Sequence, residues 1–308
     1  MRKILRCAIV FLLIAASGAQ AHADRDQFLE LARKGWVYQL RSAMTRPGVT
    51  PPVIRINSQD MAGAALCIVG EPPHPQTRRV LDAFSGLVAE IFNKPMPMRF
   101  GGTDLAACGT GRIVYLRLYS GLIPHRAFNN DLRRIDRVFD IGLPHDREQF
   151  ILSPAQAQTF FGRNGRATHL LVKQPLLVPL SQLEQRFFAS ILIEELYQSF
   201  TFGIDILHFD RNSAFVSKLE EFPINLRHIP WDSPIFMQGL LQSNPAGLCR
   251  FDVFMLHALA LAPVEQTNTE AFLQFIEGRF DDLMLRAEGT IAQADHAPIL
   301  DQHCRTSE

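Results

Sequence analysis

Helical and strand-like periods alternate through the first half of the chain, and helical ones take over in the second. From Thr77 to Asn93 the apolar positions Val80, Leu81, Phe84, Leu87, Val88, Ile91 and Phe92 recur at helical steps, while Arg78, Arg79, Asp82 and Glu90 fall elsewhere. That pattern predicts a helix with one buried face. Asp24 to Met44 shows the period more loosely, through Phe28, Leu31, Ala32, Val37, Leu40 and Met44, and predicts an amphipathic N-terminal helix stopped by Arg46-Pro47-Gly48. Val53–Asn57, Ile113–Leu118 and Thr168–Val172 have the alternation or β-branched content of strands, and Ala65–Val69 is a short apolar run of strand or loop character. Met96–Phe100 holds a proline, which cannot donate to a ladder, so it belongs at a sheet edge. The charged stretch Asn129–Asp140 is expected to be a solvated face, and His169 an ordinary hydrogen-bonded strand histidine.

From Ser181 onward the pattern is helical. Ser181 with Glu184 forms a capping box ahead of the apolar stretch Phe187–Asp205. Shorter helices are expected over Ser213–Glu220 and Pro234–Gln242, and longer ones over Phe251–Leu261 and Thr269–Ala287. The tail from Glu288 is expected to be loose until Cys304. The sum is an α+β fold, a small mixed sheet packed with helices, with a mostly helical C-terminal half. One domain over 50–287 is expected, preceded by the N-terminal helix (24–46) and followed by a C-terminal tail (288–308).

The Phe187–Asp205 helix carries the chemistry. With Glu194 at zero and ~100° per residue, Gln198 falls at ~40°, Glu195 at ~100° and Ser199 at ~140°. Leu192, Ile193, Leu196, Tyr197 and Phe200 fill the other side. Charged groups are rarely buried without partners, so a carboxylate pair on such a helix asks for a reason. Two neighbouring carboxyls in a poorly hydrated cleft would raise at least one pKa, which suits a general acid or base.

Composition narrows the partners. The 308 residues are 47% hydrophobic and 20% charged, with zero formal net charge, so there is no electrostatic case for nucleic acid or an anionic membrane surface. Residues 1–23 have the form of a signal peptide: Arg2, Lys3 and Arg6, then an apolar run, then Ala21-His22-Ala23. That run is far shorter than the ~20 residues a bilayer demands. The expectation is a soluble exported protein, periplasmic or secreted, with no membrane span after cleavage. It would carry 28 basic and 31 acidic residues, a net charge of −3. Cys67, Cys108, Cys249 and Cys304 would remain, an even number for an oxidising compartment. Four cysteines allow three connectivities. Cys67–Cys108 and Cys249–Cys304 are preferred because each pair lies within one half of the chain. No C-x-x-C spacing supports a metal site instead.

Two motifs carry a resemblance. Glu194-Glu195-Leu196-x-Gln198 followed by Asp205 resembles the E-E-L-x-Q-x-L-G-L-x-N-D segment of an uncharacterised bacterial family, domain of unknown function 2927. Leu248-Cys249-Arg250-Phe251-Asp252-x-x-Met255-Leu256-x-x-Leu259 is similar to that family's L-T-x-x-D-x-L-L-x-x-L. The likeness covers roughly Val53 to Pro263, and departs from the family at Thr201, Ile204 and Cys249. It implies an exported protein and assigns no activity. In register with the zinc-peptidase pattern H-E-x-x-H, the chain has Glu194, Glu195 and Gln198, so the general-base position is kept and both histidines are absent. A zincin-like, metallopeptidase-like layout without a convincing zinc site is the resulting expectation, with cofactor and metal unknown.

Three functions follow. The first is a non-catalytic exported protein binding an envelope or extracellular partner or polymer. The second is a peptide or glycan hydrolase with Glu195 as general base and Glu194 as paired carboxylate or metal ligand. The third is an interaction module built on the N-terminal helix. Asp205 and His208 could add oxygen and nitrogen ligands beside Glu194, against a capping and salt-bridge role as the ordinary reading. His257 could face Glu194 or Glu195 across the core, against a satisfied core histidine as the ordinary reading.

Overall fold

The computed structural model describes residues 25–41, 53–144, 148–176, 179–301 and 304. The expected leader and its cleavage site lie outside them. Strands β3 (Ala65–Gly70), β5 (Ile113–Tyr119) and β7 (Gly165–Lys173) form the parallel centre of a five-stranded sheet. Parallel strand β4 (Met98–Phe100), which starts just after Pro97, forms one edge, and antiparallel strand β6 (Ala155–Gly162) forms the other, giving the order β4-β3-β5-β7-β6.

The side-chain period of a strand sorts the core into two faces. Leu66, Ile68, Val114, Leu116, Leu118, Leu170 and Val172 share one cluster with helices α2 (Pro75–Phe92) and α4 (Gln182–Thr201). Cys67, Val69, Tyr115 and Ala167 pack in another with Ile135 and Phe139 of α3 (His125–Phe139). The central strands are covered on both faces, so they are apolar nearly throughout. The expected mixed sheet packed with helices is present, with four of its five strands parallel. The C-terminal half adds α5 (Pro234–Ser243), α6 (Arg250–Leu261), α7 (Glu270–Gly278) and α8 (Phe280–Ile291).

Several elements differ from expectation. The N-terminal helix α1 (25–36) stops at Trp36. The chain is then pinned to the end of α4, where Trp36 Nε1 donates to the Thr201 carbonyl (3.0 Å) and Tyr38 Oη to the Phe202 carbonyl (2.6 Å). Leu40 belongs instead to β1 (Leu40–Arg41), which pairs antiparallel with β2 (Val53–Ile54); Met44 lies outside the described residues. The strand expected over Val53–Asn57 ends early because the Asn57 side chain caps a 3-10 turn, Ser58–Met61. Phe28, Leu31, Ala32 and Trp36 are buried, and the Phe28 ring meets Phe251 and Phe254 edge-on. The apolar face of α1 is therefore spent on the core.

No helix forms over Ser213–Glu220. Its end is strand β9 (Glu220–Glu221), parallel to β8 (Ile206–Leu207). The single helix expected over Thr269–Ala287 is broken at Arg279 into α7 and α8. The C-terminal segment is not loose: α8 continues to Ile291, a 3-10 turn spans Ala294–Ile299, Ile299 is fully buried, and His296 Nε2 lies 3.0 Å from Glu90 Oε2 on α2. Both expected disulfides, Cys67–Cys108 and Cys249–Cys304, are formed. Among the described residues no helix is long and apolar enough to cross a membrane.

His169 behaves as a strand histidine should, its Nε2 3.0 Å from Asp131 Oδ2. That carboxylate also takes a two-pronged contact from Arg117, so α3 sends a buried acid inward as well as a solvated face outward. Asp131 is held below the ordinary carboxylate range by Arg117 and His169, against the opposing effect of burial.

Candidate functional site

Helix α4 begins with the expected capping box, Ser181 and Glu184 each bonding the other's backbone. It ends at Phe202, which takes a left-handed conformation (φ 54°) and donates its N–H to the Gln198 carbonyl (2.8 Å). Gly203 follows because a Cβ there would stand 2.5 Å from Leu219 Cδ1 and 2.7 Å from Trp36 Cζ2. The chain then doubles back into β8, which brings Asp205 beside the last turns of α4, where Gln198 Nε2 donates to Asp205 Oδ1. Because β8 pairs with β9, Glu221 joins the same place.

The result is a cleft of about 410 Å³ between α4, the first residues of β6 and the β8–β9 pair. Glu194, Glu195, Gln198, Asp205, Glu221 and Asn244 supply its polar walls. The cation of this cluster is Lys218, whose side chain is fully buried. Its Nζ donates to the Pro245 carbonyl (2.7 Å) and Ser190 Oγ (3.0 Å) and lies 2.9 Å from Glu194 Oε2. Asn244 Nδ2 donates to the same Glu194 oxygen at 2.7 Å. Glu194 is thus committed within the protein.

Glu195 is different. It is 8% exposed, the Ala157 N–H bonds its carboxyl, and its Oε2 is buried without a hydrogen-bond partner. Burial, reinforced by Glu194 and Asp205, pushes its carboxyl well above the ordinary range. Burial of the Asp205 carboxyl, with Glu194 and Glu221 nearby, pushes it up to about 7, although the residue as a whole reaches solvent at the cleft rim. Glu221 is raised for the same reasons, burial first and Glu194 second. The cleft therefore sets a Glu195 carboxyl that burial biases toward its protonated form beside an Asp205 poised to ionise.

Lys218 is itself held by a second buried acid. Asp252 accepts from Ser217 Oγ, the Lys218 N–H and the Cys249 N–H, each at 2.7 Å. Burial nevertheless lifts its pKa to about 7. The start of α6 in this way fixes the loop that delivers the ammonium to Glu194.

Of the residues singled out in the sequence, Glu194, Glu195, Gln198 and Asp205 come together. His208 does not line the cleft; its Nδ1 lies 3.0 Å from Glu220 and its Nε2 2.7 Å from Ser213 Oγ. His257 lies against α8 with Nε2 3.0 Å from Thr290 Oγ1, the satisfied core histidine of the ordinary reading rather than a partner of the carboxylates. Its pKa is lowered to about 4 by burial and by Arg286. Sequence reasoning missed Lys218, Glu221, Asn244 and the Ala157 amide. The sole local signal was the charged run Lys218-Leu219-Glu220-Glu221.

The positions in register with a zinc-peptidase helix do not fit zinc. Glu194 Oε2 is taken by Lys218 and Asn244, and Gln198, whose amide nitrogen donates to Asp205, offers only an amide oxygen where zinc takes Cys, His or carboxylate. Among the described residues no group of three or more His, Cys, Asp or Glu is arranged to hold a metal ion. Compared with protein-family models, curated proteins and solved structures, the chain finds no match.

Proposed function

We propose that this is an exported binding protein that takes a cationic group of an envelope or extracellular polymer into the acidic cleft, on a degenerate metallopeptidase-like framework. The observation that carries the reading is the imbalance of charge. Four carboxyls line the cleft, and the buried ammonium beside them is already engaged by Glu194. Asp205 and Glu221 are left to meet a cation from outside. A further depression of about 250 Å³ shares Ala157, Gln198 and Asp205 with the cleft and continues along β6, which suits an extended ligand such as a basic peptide segment. The strand–helix order ahead of α4 and the Glu-Glu-x-x-Gln motif support the metallopeptidase-like framework.

Calorimetric titration with a lysine tripeptide tests this. Asp205→Asn should weaken binding about tenfold, roughly the loss of one charge-assisted contact. Glu195→Gln, which mimics the protonated acid, should leave binding nearly intact. Equal affinity for the N-acetylated, charge-neutralised tripeptide would sink the reading.

One observation favours a second reading, a peptide or glycan hydrolase. The Glu195 carboxyl, its Oε2 buried without a partner and its pKa pushed well above the ordinary range, is placed as a general acid that could then serve as base. There, Glu195→Gln should abolish turnover of any substrate found by screening while leaving the fold unchanged.

A further inference from the structure

Another depression lies away from the acidic cleft, at the turn end of the β6–β7 hairpin, and has the opposite charge. It measures about 1090 Å³ and is lined by Arg55, Arg112, Arg163 and Arg166, with Asp60 the single acid. Its floor is apolar, formed in part by Met61, Phe139 and Phe161.

Arg166 is the unusual member. It is the second residue of β7, and its side chain is only 20% exposed. Its guanidinium lies 4.8 Å from the centre of the Phe202 ring, and Nη2 donates to Met61 Sδ at 3.3 Å, a weak acceptor. The nearest carboxylate, Asp60, is 3.9 Å away and itself 58% exposed, beyond hydrogen-bond length. A guanidinium presents five N–H donors, so most of this one's capacity is unspent and opens on the depression. Arg112 reinforces the deficit. It is exposed, no ion-pair partner is found for it among the described residues, and its charge together with burial lowers the Arg166 pKa. Arg55 and Arg163 meet Glu265 and Asp140 only at 3.7 Å and 3.3 Å, in exposed pairs worth little.

We propose that this depression binds an oxyanion-bearing ligand, a phosphate or sulfate ester or a polycarboxylate, through Arg166 and Arg112, with the ligand's body on the apolar floor. An oxyanion would satisfy the planar fork of Arg166 and remove the repulsion between the two guanidiniums in one step. The site is separate from the acidic cleft, and neither reading depends on the other.

The test is calorimetric titration of the full chain with pyrophosphate, inorganic sulfate and citrate, which also distinguishes the three oxyanion sources. At least one should bind more tightly than about 1 mM at low salt and weaken by roughly an order of magnitude in 0.3 M salt. Arg112→Gln, at an exposed position, should weaken binding at least about fivefold, and Arg166→Gln should weaken it further. Arg78→Gln, which removes an exposed arginine on α2, and Asp205→Asn should leave it unchanged. Absence of binding by all three probes would overturn the proposal. So would unchanged affinity in Arg112→Gln, or an equal loss in Arg78→Gln. If Arg166→Gln fails to fold, the Arg112 and Arg78 variants decide alone.

Discussion

The Lys218 side chain is fully buried, and it is tolerated because its donors have named acceptors in Glu194, Ser190 and Pro245. Breaking such a pair from one side strands the other charge. Lys218→Met should therefore cost roughly 3–5 kcal/mol in urea denaturation, and the double variant Lys218→Met/Glu194→Gln should recover much of that loss. The acids around it set the pH response. Burial and the neighbouring acids push the Asp205 pKa up from the ordinary 3.8 to about 7, so the folded state holds its proton longer than the unfolded one. Its contribution is intact below the unfolded pKa and is lost as pH rises through that window. Cation binding should move the opposite way, strengthening between about pH 6 and 8 as Asp205 ionises. His257 has the reverse sign for stability. Its pKa is lowered to about 4, so the unfolded chain gains a proton first and stability falls as pH drops from about 6.5. His257→Gln should flatten that acid limb, measured as denaturation midpoint against pH.

Among elements, α4 and β6 mark what local pattern can and cannot reveal. The α4 helix was legible because its capping box is written in four residues and its apolar content exceeds what a surface helix needs. Strand β6, Ala155-Gln-Ala-Gln-Thr-Phe-Phe-Gly162, was not, because alanine and glutamine have little strand preference and its place is set by pairing with β7. The segment Ser213–Glu220 looked helical because lysine, leucine and glutamate favour helices. It is held open instead by Asp252 and by the distant Glu194, which no local window contains. The turn of the β6–β7 hairpin depends on Gly162, where a Cβ would stand 2.0 Å from the Phe139 carbonyl oxygen. Gly162→Ala should cost up to about 3 kcal/mol, since the obstacle is backbone at the end of α3 rather than a movable side chain. Thermal denaturation with near-UV circular dichroism would register it.

At the scale of the molecule, two cavities of opposite sign share a chain whose formal net charge is zero. Overall charge therefore says nothing about what either end of β6 attracts. The buried core runs from Phe28 to Ile299, and the chain beyond it is tied back through Cys249–Cys304 and the Leu248–Leu300 bridge. Each disulfide should contribute about 2–4 kcal/mol, to be read from denaturation of Cys67→Ser/Cys108→Ser and Cys249→Ser/Cys304→Ser. The second pair has a further consequence. Cys249 donates its N–H to Asp252, Asp252 fixes Lys218, and Lys218 neutralises Glu194. The sulfur bridge is thus three contacts away from the acidic cleft, and the state of one should be audible at the other. Reducing the protein should loosen the lysine tripeptide before it unfolds the sheet. A chain still carrying free thiols would then be a poor receptor, and oxidation would act as the last step of its maturation.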